Sequence, residues 1–247
     1  MCRHLAYVGP PVTLASLVLE PEHSLYRQSW APSDMRGGGT VNADGFGLGW
    51  YVDGRPVRYR RNVPIWTDAN LPGLAGTIRS GAVLAAVRNG TEGMPYGEAT
   101  VAPFTAGNWL FSHNGRVPGW PESTLKLAEK LPVADLLRLD APVDSALLWA
   151  LIANRLDDGV PPADAVASVV HEVESAAPGS RLNVLLTDGE QLVGTSWTHS
   201  LWVQRSPDST TVASEPFGAG DWNEVPDRSL LVATATTLRI TPMEGRL

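Results

Sequence analysis

The only cysteine of this chain is its second residue, and its side chain is the one best suited to covalent chemistry. Cys2 follows Met1 directly. Removal of Met1 would leave a thiol and an α-amine on one residue, and the amine can act as general base for that thiol. Reference pKa values of roughly 7.7–8.0 for the amine and about 8.5 for the thiol favour proton exchange near neutral pH. Position alone leaves a buried structural cysteine as the alternative.

Two adjacent residues are suited to stabilise the oxyanion that a thiolate creates when it attacks an amide. Asn114 and Gly115 follow a stretch of apolar residues. An asparagine side-chain N–H and a glycine backbone N–H can converge on one oxygen, and one such donor lowers a barrier by about 2.7–4 kcal/mol. The alternative is an ordinary Asn-Gly turn. The pair therefore indicates an oxyanion hole only in combination with the cysteine nucleophile.

Cys2 and three further motifs occur in the order and approximate spacing found in class II glutamine amidotransferases. The three motifs are Arg88-Asn89-Gly90-Thr91, His113-Asn114-Gly115 and Val143-Asp144-Ser145. The chain resembles this family of N-terminal-nucleophile hydrolases over residues 2–160, and Ser214-Glu215-Pro216 extends the resemblance toward the C-terminus. The resemblance implies a four-layer αββα sandwich of two mainly antiparallel sheets, formed by residues 2–247 as a single domain.

The resemblance also implies a catalytic group of three residues. Cys2 would be the nucleophile and, through its amine, the base, while Asn114 and Gly115 would form the oxyanion hole. No metal or organic cofactor is expected, because the chain itself supplies nucleophile, base and oxyanion donors. The expected reaction is hydrolysis of a glutamyl amide through a thioester on Cys2.

Four more residues are implied to bind the glutamyl group. Arg88 would hold its α-carboxylate, a task that suits a bidentate guanidinium. Asp144 would pair with its α-ammonium, and Thr91 would lie in the substrate pocket. His113 is expected to orient its loop rather than to titrate. The alternatives are a surface charge at Arg88 and a helix cap at Asp144.

Two departures from the glutamine-using members favour a larger substrate. Ala102-Pro103-Phe104 replaces a His-Pro-Phe-like element, and the run from Arg88 to Glu92 replaces Arg-Trp-Ala-Thr-His. No synthase domain follows in the sequence, so released ammonia would have no acceptor within this chain. We therefore expect a small-molecule γ-glutamyl conjugate as substrate. The alternatives are a stand-alone glutaminase or amidotransferase subunit, a hydrolase of another γ-glutamyl amine, and a silent γ-glutamyl-binding module.

Four segments resemble the amidohydrolases of ergothioneine biosynthesis, which remove glutamate from γ-glutamyl-hercynylcysteine sulfoxide. They are Met1-Cys2-Arg3-His4-Leu5, Arg27-Gln28-Ser29-Trp30-Ala31-Pro32, Met35-Arg36-Gly37-Gly38-Gly39 and Asn42-Ala43-Asp44-Gly45-Phe46-Gly47. The leaving group of that substrate carries a trimethylammonium, a group commonly held over aromatic faces. The chain has nine tryptophans, and the candidate walls are Trp50, Trp66, Trp109, Trp120 and Trp222. Core packing is the alternative for each.

The elements that must position these residues follow the order strands, helices, strands, which favours an α+β fold over a doubly wound sheet. Spacing predicts helices over 13–20, from Asp144 to Gly159, and from Pro161 to Pro178. Alternation and turn residues predict strands over 2–8, 46–51, 56–60, 83–87, 108–111, 182–186, 192–197, 201–203 and 230–234. The first strand is expected to end at Gly9-Pro10-Pro11.

Composition excludes several function classes. The net charge is −7, and the one basic cluster, Arg58-Tyr59-Arg60-Arg61, is interpreted as a solvated strand edge, so no nucleic-acid partner is expected. No apolar run approaches the ~20 residues that span a bilayer, and no signal peptide is evident. A single cysteine fits a reducing compartment. We expect a cytoplasmic protein, monomeric or a small homo-oligomer.

Overall fold

The computed structural model describes residues 2–36, 41–91 and 93–243, which form strands β1 to β13. They are β1 (Arg3–Thr13), β2 (Phe46–Val52), β3 (Arg55–Arg61), β4 (Arg79–Val87), β5 (Phe104–Ala106), β6 (Trp109–Arg116), β7 (Arg181–Thr187), β8 (Gln191–Ser196), β9 (Trp202–Ser206), β10 (Ser209–Ala213), β11 (Trp222–Glu224), β12 (Ser229–Thr234) and β13 (Leu238–Pro242). The first sheet has the order β11-β9-β10-β1-β4-β2-β3, and the second has the order β13-β12-β8-β7-β6-β5. The strand pairs within both sheets are antiparallel.

The helices pack on the outer faces of these sheets. They are α1 (Leu14–Val18), α2 (Leu25–Gln28), α3 (Leu71–Thr77), α4 (Leu125–Ala128), α5 (Val133–Leu137), α6 (Asp144–Asp157) and α7 (Pro162–Ala176). Single 3-10 turns occur at Ile65–Thr67, Glu98–Thr100 and Glu122–Thr124. Among the described helices, none has the length and apolar character needed to cross a bilayer.

Three hydrophobic clusters show how the layers stack. Side chains alternate along a strand, so Leu5 and Tyr7 of β1 join the cluster that contains α1 to α3. Ala6 and Val8 point the other way and meet residues such as Leu185 of the second sheet. The third cluster joins the outer face of the second sheet to α6 and α7. The predicted four-layer αββα sandwich is therefore confirmed.

The two longest helices agree with the apolar spacing that predicted them. Helix α6 buries Leu147, Leu148, Leu151 and Ile152, and α7 buries four valines at the expected spacing. One detail is wrong, because Val143 rather than Asp144 occupies the N-cap, and Asp144 lies in the first turn of α6. A carboxylate at that position still interacts favourably with the helix dipole.

Strand β1 continues past the point where it was expected to end. It runs to Thr13, and its register with β4 shifts between Val8 and Val12. A proline has no N–H for a sheet ladder, but Pro10 and Pro11 lie inside this irregularity, where no ladder hydrogen bond is required of them. A long first strand firmly anchors the residue that precedes it, Cys2.

The His-Asn-Gly motif lies within a strand and not after one. Strand β6 extends to Arg116, and Asn114 lies opposite Asn183 of β7. The alternative of an Asn-Gly turn is therefore wrong. Pairing with β7 holds this motif in an extended conformation, which is a more rigid support than a turn.

The glycines of β2 allow a close approach, as their alternation with large residues indicated. A Cβ atom on Gly47 would lie 2.1 Å from the carbonyl oxygen of Ala102, and one on Gly49 would lie 2.7 Å from Leu110. The segment that contains Pro103 therefore packs directly on β2. Strand β3, which carries the arginine cluster, is an edge strand as expected.

Candidate active site

The thiol of Cys2 lies at the start of β1, against the loop that follows β4. The N–H of Asn89 donates to Sγ at 3.4 Å, and Sγ lies 3.6 Å from the carbonyl oxygen of Asn89. The residue is partly buried and lines a small cavity together with Arg88, His113 and Ser145. The thiol thus lies within hydrogen-bonding distance of the backbone that follows β4.

The loop that carries Arg88 is held by the Asn42–Gly45 segment. The N–H of Arg88 donates to the carbonyl of Gly45 at 2.7 Å, and the N–H of Asp44 donates back to the carbonyl of Arg88 at 3.0 Å. The Asp44 carboxylate also accepts the N–H of Gly90 at 2.7 Å. These three bonds fix the backbone on both sides of the arginine and so fix the direction in which its side chain leaves.

The guanidinium of Arg88 has a nitrogen available for a ligand. Nη2 donates to the carbonyl of Pro95 at 3.2 Å, whereas Nη1 is buried without a partner among the described residues. An added Cβ on Gly90 would lie 3.0 Å from Nη1, so the missing side chain keeps the space beside the guanidinium open. A buried N–H of a charged group that lacks an acceptor is costly. A carboxylate ligand would satisfy it.

Asn114 is buried next to the strand that carries the cysteine. Its Nδ2 donates to Oγ of Ser214 at 3.3 Å, while its Oδ1 has no partner among the described residues. Ser214 Oγ also accepts the N–H of His4 at 3.0 Å. Ser214 thus bridges the predicted oxyanion donor and β1, two residues beyond Cys2.

Gly115 occupies a position where any side chain would collide. A Cβ atom there would lie 1.8 Å from the carbonyl oxygen of Arg181 and 2.4 Å from Nε2 of His113. The first contact is with backbone, which cannot swing aside. The glycine is therefore required by the close packing of β6 on β7, whatever its N–H does in catalysis.

His113 has both ring nitrogens engaged. Nε2 donates to the carbonyl of Arg181 at 2.8 Å, which fixes the proton on that nitrogen. Nδ1 then accepts from the hydroxyl of Ser145, whose Oγ lies 2.9 Å away. The ring joins β6, β7 and α6 at the wall of the Cys2 cavity, an arrangement in keeping with the expected orienting role.

Asp144 lies beneath the site with its carboxylate bonded to backbone. Oδ2 accepts the N–H of Val117 at 3.1 Å, and Oδ1 accepts the N–H of Ser145 at 2.7 Å. The residue is 7% exposed. Carboxylate oxygens have lone pairs for further donors, and its pairing with a substrate ammonium stays a prediction.

A wider cleft of about 590 Å³ is lined in part by the loop that follows Arg88. Thr91 and Pro95, from the Arg88 loop, form one wall, and Arg116, Val117 and Trp120 form another. Arg88 links the two linings, because it lines the small cavity and donates to the carbonyl of Pro95, which lines the cleft.

Of the five candidate tryptophans, Trp120 is the one that lines this cleft. Trp50 and Trp109 pack against the hydrophobic clusters. Trp66 meets Trp30 edge to face, and Trp222 packs on Phe217.

Two neutral imidazoles lie behind the catalytic face. Burial lowers the pKa of His4 to about 3, and nearby positive groups add to the effect. Burial likewise lowers the pKa of His199 to about 3. Nε2 of His4 and Nδ1 of His199 have no partner among the described residues. Neither ring carries a positive charge near neutral pH.

Sequence reasoning missed several residues that support the site. Asp44 was part of a predicted turn, Ser145 was considered only as a helix cap, and Ser214 was only part of a motif. Only Asp44 carried a local signal, since an Asp-Gly pair marks a turn whose side chain bonds to backbone. Ser214 meets Asn114 across 100 residues of chain, a separation that no local pattern reveals.

This fold, with a cysteine leading into a central strand and a small cavity beside it, is that of an amidohydrolase of the N-terminal-nucleophile class. The chain belongs to the class II glutamine amidotransferase family, whose model matches residues 20–236.

The relatives in this family include two mycobacterial enzymes named gamma-glutamyl-hercynylcysteine sulfoxide hydrolase. The protein of Mycolicibacterium smegmatis is 39% identical over 98% of this chain and 100% of its own length. That of Mycobacterium tuberculosis is 37% identical over 99% of this chain and 97% of its own length. Among solved structures, a glutamine aminotransferase class-II domain protein from Silicibacter pomeroyi superposes with a TM-score of 0.68. It is 25% identical and is aligned over 98% of this chain and all of its own.

Proposed function

We propose that this chain hydrolyses the γ-glutamyl amide of γ-glutamyl-hercynylcysteine sulfoxide, giving glutamate and hercynylcysteine sulfoxide. The substrate is the one that the names of its mycobacterial relatives state. The observation that carries the proposal is the small cavity that both Cys2 and Arg88 line, with Nη1 of Arg88 lacking a partner among the described residues. Nucleophile and carboxylate anchor are thereby held at one site.

The glutamyl group is bound at its two charged ends. Nη1 of Arg88 would take the α-carboxylate in a charge-assisted hydrogen bond. Asp144 would take the α-ammonium, since its buried carboxylate lies beside Ser145 at the cavity wall. Thr91, which lines the wide cleft, would lie in the part of the substrate pocket that takes the leaving group.

The reaction proceeds in two acyl-transfer steps once Met1 has been removed. The α-amine of Cys2 takes the thiol proton, and the thiolate attacks the γ-carbonyl carbon. The oxyanion is held by the Asn114 amide and the Gly115 N–H, and one oxyanion donor is worth about 10²–10³ in kcat. The ammonium then gives its proton to the leaving nitrogen, so the C–N bond breaks and a γ-glutamyl thioester remains. Water, deprotonated by the same amine, hydrolyses the thioester to glutamate and free thiol.

The leaving group would occupy the wide cleft. The hercynyl part carries a trimethylammonium and a carboxylate. Trp120 offers an aromatic face to the first, and Arg116, which is exposed and lines the same cleft, offers a cation to the second. A space of about 590 Å³ is far larger than ammonia requires, which favours a bulky conjugate over glutamine as substrate.

We further propose that residues 2–247 act as a single catalytic domain and that the protein works in the cytoplasm as a monomer or small homo-oligomer. The three hydrophobic clusters share the two sheets, which supports one domain. A single cysteine without a disulfide partner is typical of a reducing compartment, which supports this location.

A substrate comparison tests the function. Protein whose N-terminus is Cys2 is assayed with γ-glutamyl-hercynylcysteine sulfoxide, glutathione and glutamine, and released glutamate is measured. The highest kcat/KM is expected for the sulfoxide conjugate. Preference for glutamine would instead indicate a glutaminase subunit, and preference for glutathione a hydrolase of another γ-glutamyl amine. Protein that retains Met1 is the matched control and should be inactive, because a peptide N–H is no base.

A further inference from the structure

A buried ion pair stands directly behind the nucleophile. Nε of Arg3 donates to Oε1 of Glu215 at 2.8 Å, and both side chains are only 2% exposed. Oε2 of Glu215 is also satisfied, by Nε2 of His23 and the N–H of Ser33, each at 2.7 Å. The carboxylate is therefore held in one orientation by three donors.

The rest of the Arg3 guanidinium reaches the nucleophile. Nη1 donates to the carbonyl oxygen of Cys2 at 3.1 Å, and Nη2 donates to the carbonyl of Asp34. The sheet register of β1 begins at Arg3, so the carbonyl of Cys2 lies at the end of the ladder. A guanidinium is a rigid planar fork. Anchoring it on Glu215 therefore sets the position of the Cys2 backbone.

The neighbour of Glu215 makes the matching contact on the oxyanion side. Ser214 accepts the N–H of His4 through Oγ, and its own N–H donates to the carbonyl of His4 at 2.9 Å. The same Oγ accepts from Nδ2 of Asn114 at 3.3 Å. Two consecutive residues thus contact the cysteine side and the asparagine side of the site.

We propose that Arg3, Ser214 and Glu215 are positioning residues that fix the Cys2 thiol relative to the Asn114 amide. This inference rests on the proposed function insofar as Cys2 is the nucleophile and Asn114 the oxyanion donor. Replacing a buried ion pair by apolar residues of similar volume is often neutral or stabilising. Stability alone is therefore a weak reason for a charged pair here, whereas orientation of the adjacent nucleophile needs a directional group.

The first test is Arg3→Lys, which keeps the charge and loses the fork. One ammonium cannot hold Glu215 and the Cys2 carbonyl in the same geometry. Because a misplacement of about 1 Å can cost about 10²-fold in rate, kcat should fall by up to about that factor. KM should change little, since Arg88 is untouched.

Arg155→Lys is the matched control. Arg155 also joins a carboxylate, Glu172 at 2.8 Å, to a backbone carbonyl, that of Leu151 at 3.0 Å, but it does so between α6 and α7. The Arg155→Lys substitution should leave kcat unchanged. If Arg3→Lys lowers the melting temperature as the control does yet keeps the wild-type kcat per folded enzyme, the Arg3–Glu215 pair is only structural and the proposal is wrong.

A second variant covers the case in which Arg3→Lys does not fold. Ser214→Ala removes one hydroxyl and should lower kcat at unchanged KM. If Ser214 acts through Asn114, the double variant Ser214→Ala/Asn114→Ala should be no slower than Asn114→Ala alone. Additive losses would contradict the proposal for Ser214.

Alkylation of the thiol separates this proposal from the choice of substrate. Cys2 is the only cysteine, so the rate of iodoacetamide incorporation reports it alone. The pH profile of that rate should differ from the wild-type profile in Arg3→Lys and match it in Arg155→Lys. A wild-type protein that does not cleave the conjugate would overturn the proposed function. Identical alkylation profiles in all three proteins would instead contradict the positioning role of Arg3.

Discussion

The small cavity at Cys2 and the wide cleft beside it are built in different ways. The polar groups of the cavity are held by strands and by backbone hydrogen bonds, as with Arg88 and His113. The cleft is lined largely by loop residues, among them Met94, Gly119 and Pro142. Loops tolerate change better than the strands that carry them. On the proposed function, the cavity would determine the reaction and the acyl group, and the cleft would determine the leaving group.

The two regions meet in one short segment. Arg88 faces the cavity, while Thr91 and Pro95 face the cleft a few residues later. Substitutions in the cavity should therefore affect every γ-glutamyl substrate equally. Substitutions in the cleft should affect only substrates with a large leaving group.

The largest effect is expected from the oxyanion donor. Asn114→Ala should lower kcat by about 10²–10³-fold for the conjugate and for any slow glutamine hydrolysis alike, because the oxyanion is common to both. KM should change little. Steady-state kinetics on both substrates check this, with the exposed Asn108→Ala as the control. An effect confined to the conjugate would place Asn114 with the cleft instead.

The next effect is expected at the carboxylate anchor. Arg88→Lys replaces a fork by a point charge and should lower kcat/KM by about 10- to 100-fold, the equivalent of a charged hydrogen bond of about 1.5–3 kcal/mol. The loss should be the same for conjugate and glutamine, and γ-glutamyl amides that lack the α-carboxylate should not distinguish the two proteins. Arg138→Lys, on the exposed surface, is the control. Undiminished kcat/KM would show that the carboxylate binds elsewhere.

A smaller and selective effect is expected in the cleft. Trp120→Ala should raise KM for the sulfoxide conjugate by about 2- to 30-fold, the range of a cation–π contact, and should leave glutamine hydrolysis unchanged. Trp66→Ala is a matched control, since Trp66 is also partly exposed but lies outside the cleft. Equal losses for both substrates would remove the distinction between the two regions.

The smallest effect concerns stability behind the site. The pKa of His4 and of His199 falls from 6.5 to about 3 on folding. Below about pH 6.5 the unfolded chain binds protons that the folded chain refuses, so the free energy of unfolding should fall as pH decreases toward 3. The slope is about 1.4 kcal/mol per pH unit for each histidine. Urea unfolding of His199→Asn should show one such contribution fewer between about pH 7 and pH 5, and an unchanged slope would contradict the assignment.

The sequence predicts a structural feature well when the pattern that marks the feature lies within one helix or strand. Alternation predicted β2, and helical spacing predicted α6 and α7, because these patterns lie within one element. The end of β1 was misplaced because the irregularity that admits Pro10 and Pro11 depends on the partner strand. The Asn-Gly pair is equally at home in a turn, and only the pairing of β6 with β7 decides for a strand.

The residues of the site also differ in whether a local sequence pattern reveals them. Cys2, Arg88 and His113 were found from short motifs, and the structure brings them to one cavity. The residues that hold them were not found, because Glu215 meets Arg3 across 212 residues of chain. The segment from Gly37 to Gly39, which contributed to the resemblance, lies outside the described residues.

The thioester on Cys2 is the central claim, and trapping it is the most direct test. Protein that begins at Cys2 is mixed with γ-glutamyl-hercynylcysteine sulfoxide, quenched with acid during turnover and analysed by mass spectrometry. One added glutamyl group is expected on the N-terminal peptide, and Cys2→Ala should show neither adduct nor glutamate release. Turnover by Cys2→Ala, or an adduct on any other residue, would contradict the account.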